Sequence, residues 1–132
     1  MIISALVASL VLGQSAPDAA SLLSRLDLTS FRNSVGPRHL PSPATPDVAG
    51  FTEASFENGW ATRSSPGDRW RLGLKVLDSE GDVIHVCFSD VAWNGGTYFV
   101  QTALDLRRSG NLYVAEPSPR DDCREARGRS PN

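Results

Sequence analysis

From Phe51 to Ala115 the chain is divided into short apolar runs by turn-forming residues, and no other feature restricts its fold as much. The runs are Phe51 to Phe56, Trp60 to Arg63, Trp70 to Val76, Val83 to Asp90, Thr97 to Arg107 and Leu112 to Ala115. Asn58-Gly59 tolerates the positive backbone angles of a tight hairpin, and Ser64 to Asp68, Asp78 to Asp82 and Arg108 to Gly110 are further reversals. In the third run Trp70, Leu72, Leu74 and Val76 alternate with Arg71, Gly73 and Lys75, so one face is buried and the other partly wet. Val83 to Asp90 is apolar on both sides, with Ile84, Val86 and Phe88 opposite Val83, His85 and Cys87, and should be covered on both. This spacing predicts an antiparallel β-meander of four or five strands over residues 51–116.

Upstream, Ala19, Leu22, Leu23 and Leu26 recur at helical spacing, and Asp18 can cap the first turn. A helix from Asp18 to Asp27 is too short to stand alone. Its leucine stripe is expected to dock on Leu72, Leu74, Val86, Phe88, Val100 and Leu104, giving a two-layer α+β domain. The alternative is a small all-β barrel with the helix across one end. Thr29 to Gly50 holds Pro37, Pro41, Pro43 and Pro46 and reads as an irregular connector that wraps the domain on Phe31, Val35 and Leu40. Residues 16–50 therefore form the helix and connector, and residues 117–132 a polar tail.

Met1 to Gly13 carries no charged side chain and leads into Gln14-Ser15-Ala16-Pro17. It is too short to span a bilayer and has small residues where a peptidase requires them, so residues 1–15 read as a signal peptide cleaved after Ser15. No Cys follows Leu12-Gly13 to accept a lipid. The expected location is periplasmic or secreted, with no membrane span in the mature chain. In that oxidising setting Cys87 and Cys123, the only cysteines, should form a disulfide that ties down the tail. Because Cys87 faces away from Ile84, Val86 and Phe88, the tail should cross the sheet face that carries Lys75, His85 and Gln101.

The remaining chain suffices for one domain and is expected to be monomeric. A formal net charge of -2, with arginines scattered among acidic residues, leaves no nucleic-acid footprint. Arg69, Arg71, Arg107 and Arg108 have Asp68, Asp78, Asp105 and Glu116 to pair with, so a solvated face accounts for them. His85 and Cys87 share a strand face at a spacing that a metal can use, but a bridged Cys87 offers no thiolate, and no metal or cofactor is expected. A hydrolase would have to draw on His85 with Ser89 and Asp90, and no Gly-x-Ser-x-Gly elbow surrounds any serine.

Trp93 to Tyr98 is the local sequence best suited to recognition: a large amphipathic ring beside Asn94-Gly95-Gly96, at the end of a strand. Asn94-Gly95-Gly96-Thr97-Tyr98 resembles, over five residues, the Ser-Gly-x-x-Tyr-like loop of the small exported lysozyme inhibitors. The serine is missing and Cys87 stands closer before the loop than in that family. The resemblance therefore keeps an enzyme inhibitor among the alternatives without carrying a function. The reading adopted is a non-enzymatic exported domain that binds a protein or envelope component through Trp93, Asn94 and Tyr98. The alternatives are a small hydrolase using His85, a secreted inhibitor and a structural envelope protein.

Overall fold

The computed structural model describes residues 17–35, 40–67, 69–92, 98–120 and 123. The signal segment, His39, Trp93 and Asn94 lie outside them.

Six strands pair antiparallel in chain order: β1 Glu53–Glu57, β2 Trp60–Ser64, β3 Trp70–Glu80, β4 Val83–Ala92, β5 Tyr98–Ser109 and β6 Leu112–Pro117. The expected count of four or five was too low, because the short outer runs also pair, each across a tight hairpin from its neighbour in sequence. At the β1–β2 reversal Asn58 and Gly59 take φ of 55° and 84°, the two left-handed positions of a type I′ turn. β1 and β6 do not meet, so the sheet is open and the barrel alternative falls.

α1 spans Ala19–Ser24, and Asp18 accepts a hydrogen bond from the Ser21 amide at 2.8 Å. It stops short of the expected Asp27 because the next residues serve the sheet. The Tyr113 amide donates to the Arg25 carbonyl, the Asp27 amide donates to the Tyr113 carbonyl, and Leu26 forms a parallel bridge with Tyr113 along the outer side of β6. Leu22, Leu23 and Leu26 are buried with Leu72, Leu74, Val86, Phe88, Leu104 and Leu106 in one core. Val100 was expected there too, yet is 39% exposed: α1 packs on β2 and β3 and does not extend over the start of β5.

The proline-rich connector follows the same face. Val35 is buried, and Phe31 and Leu40 pack on the core, Phe31 edge-on to Phe88 with centroids 5.0 Å apart. Asp27 gathers the connector by accepting from the Thr29 amide, the Thr29 hydroxyl and the Ala44 amide. One helical turn, α2 Pro46–Ala49, starts on a proline, whose missing N–H is no loss at that position, and ends at Gly50 with φ of 95°. Among the described residues no helix is long and apolar enough to cross a membrane.

Candidate functional site

The sheet face opposite α1 is crossed by the chain end. Cys87, flanked in the ladder by Lys75 and Ala103, is bridged to Cys123. The Ser118 amide donates to the Ala103 carbonyl, which extends the β5–β6 ladder by one residue, and Arg120 grips both carboxylate oxygens of Asp78 at 2.8 and 2.9 Å. An oxidising location is compatible with this bridge.

Beside Arg120 lies a charged cluster built around His85. β3 and β4 slip register between Val76 and Asp78. Without that bulge Leu77 would stand opposite His85. With it Asp78 does, and Glu80 comes onto the same face. Across β4 the partner of His85 is Asp105. His85 Nδ1 lies 2.6 Å from Asp105 Oδ1, and Nε2 lies 2.8 Å from Glu80 Oε1 and 3.8 Å from Asp78 Oδ1. Two carboxylates at hydrogen-bond distance leave both ring nitrogens as donors, which is the imidazolium. The Asp105 bond first, then the Glu80 bond, hold the His85 pKa above its ordinary value of 6.5 against the opposing effect of burial. The Arg120 hydrogen bond holds Asp78 below the ordinary carboxylate value.

Donor atoms of Asp78, Glu80 and His85 lie within 4.8 Å of one another and are of the kind that bind divalent cations. Here the positive charge comes from the ring proton and the guanidinium, because Nε2 addresses Glu80 and Arg120 occupies Asp78. His85 and Ser89 are not brought together. They share a face but stand about 13 Å apart along the strand at ~3.3 Å per residue. Asp90 lies on the core face, buried, where it accepts from the Ser34 amide and hydroxyl while Trp70 Nε1 donates to Ser34 Oγ. That network fastens the connector to the sheet.

Tyr98 is 44% exposed. It lies on the core side of β5, two residues before exposed Val100, in the row formed by Trp70, Ala92 and Tyr98. β6 pairs with β5 only from Leu104 onward, and this end of the strand projects past it. Val100 escaped sequence reasoning because alternation assigns a face without showing where the covering helix stops. A separate groove of about 620 Å³ is lined by Pro17, Ile84, Arg107, Arg108 and Tyr113 among others. Its guanidiniums are engaged locally, Arg107 near Glu116 and Arg108 with the Gly110 carbonyl. In comparisons with protein-family models, curated proteins and solved structures, none matched the chain.

Proposed function

We propose that this is an exported, non-enzymatic domain that binds a protein or envelope component through the sheet end at Tyr98. The observation carrying this reading is the exposure of Tyr98 and Val100 side by side on the face of β5 that carries core Leu104 and Leu106 further along. An amphipathic ring next to an aliphatic side chain supplies contact area with a polar handle, the composition that dominates binding energy at interfaces. Trp93 and Asn94 precede Tyr98 by a few residues and belong to the same proposed surface. The Cys87–Cys123 bridge and the uncharged residues 1–13 support export.

A photo-crosslinking residue at position 98 should give a discrete adduct in envelope preparations, whereas the same residue at Asp82, in the exposed β3–β4 turn, should not. Tyr98→Ala should then weaken binding of the captured partner by about 2 kcal/mol or more. Its effect on folding should stay below about 1 kcal/mol, because the ring is only half covered. Equal adducts from both positions, or none, would rule this surface out.

A further inference from the structure

The two edges of the sheet are treated differently. β6 is closed by residues 25–27, which bond to Tyr113, and by Ser30, whose hydroxyl accepts from the Ala115 amide. Along β1 no such cover exists among the described residues: all five residues are exposed, and Phe56, on the core side of the pleat, is 61% exposed. α1 packs on β2 and β3 and leaves β1 projecting with both faces bare. An uncovered edge presents a row of backbone donors and acceptors that pair readily with another extended chain.

The side chains restrict which chain that can be. Glu53, Ser55 and Glu57 share one face, and Ala54 and Phe56 the other. Neither glutamate has an ion-pair partner among the described residues. A second copy pairing antiparallel about Ser55 would set Glu53 directly against Glu57 twice, and like charges directly opposite are destabilising. The edge is thus closed to its own kind while remaining open to a strand of opposite charge.

We infer that β1 is a strand-addition site for an extended peptide segment of a partner protein with the pattern basic, apolar, any residue, apolar, basic. Paired antiparallel, its two basic residues face Glu57 and Glu53, and its apolar residues lie against Phe56 and Ala54. Backbone hydrogen bonds hold the segment, and the charges set its register. This surface is distinct from the one at Tyr98, at the opposite edge of the sheet, so either can fail without the other.

The test uses the mature, disulfide-bonded domain and a blocked peptide, Thr-Lys-Val-Thr-Val-Lys-Thr, by calorimetry and amide chemical-shift mapping. Binding should shift the amides of residues 53–57 and weaken with added salt. Peptide N-methylated on its edge-facing amides should not bind. Replacing both lysines by glutamate should weaken binding on the order of tenfold or more, as expected when two cross-strand attractions become repulsions. The Glu53→Lys, Glu57→Lys double variant, checked by its melting temperature, should reverse that preference. No binding, undiminished binding of the N-methylated peptide, or shifts centred away from β1 would overturn the assignment. So would a concentration-dependent dimer of the domain that Phe56→Glu dissolves, since the occupant would then be a second copy.

Discussion

His85 illustrates how much a single position can depend on neighbours that are distant in sequence. Its ring is buried between Asp105 and Glu80, with Asp78 and the Arg120 guanidinium completing the surroundings. Because the folded pKa is raised, the stabilisation it contributes is fully present below the unfolded value near 6.5 and is lost as pH rises through the folded value. Asp78 acts in the opposite sense: its contribution is present above the ordinary carboxylate value and is lost as pH falls through its lowered one. Thermal stability measured against pH should therefore decline from mildly acidic conditions upward. His85→Gln should cost about 1.5–3 kcal/mol below pH ~6.5, the range for hydrogen bonds to charged groups, and should flatten that decline. A profile unchanged by the substitution would contradict an imidazolium at this place. Titration of the ring by NMR, repeated in Asp105→Asn, reads the same assignment directly and should show a lower pKa in the variant.

At the scale of elements, the covalent and the ionic contact described for the tail after β6 are of unequal weight. The bridge closes a loop of 36 residues and contributes on the order of 3–4 kcal/mol, chiefly through the unfolded chain. The Arg120–Asp78 pair is part-exposed, so solvent and salt screen it and its contribution is small beside that of the bridge. Paired Cys87→Ser and Cys123→Ser substitutions should thus lower unfolding free energy by several times the effect of Arg120→Ala, in denaturant titrations of each variant. The bridge and the face it occupies were legible in the sequence, from the parity of Cys87 along an alternating strand. So was the leucine stripe of α1. The charged cluster was not legible: Asp78 and Glu80 reach the face of His85 only through the bulge at Leu77, which nothing in the local sequence marks. The early end of α1 also escaped, since helical spacing continues to Leu26 while Tyr113, far along the chain, recruits residues 25–27 into a sheet edge.

For the whole molecule, each strand pairs with its neighbour in sequence, which keeps the loops that must close shorter than a crossover sheet would need. The exception is the closure of β6 by the chain just after α1. Leu26 is fully buried at that junction, so Leu26→Ala should cost about 2–5 kcal/mol, the range for a cavity at a core leucine. A chain ending at Gly110 should lose cooperative unfolding in calorimetry, because residues 25–27 would have no strand to join. This closure also sets an order in time. Residues 25–27 leave a ribosome well before β6 and complete their bonds only with it, a delay on the order of ten seconds at ~5–20 residues per second. Throughout that interval the leucine stripe has no finished sheet to settle on, and whatever receives the nascent chain meets it still unlocked.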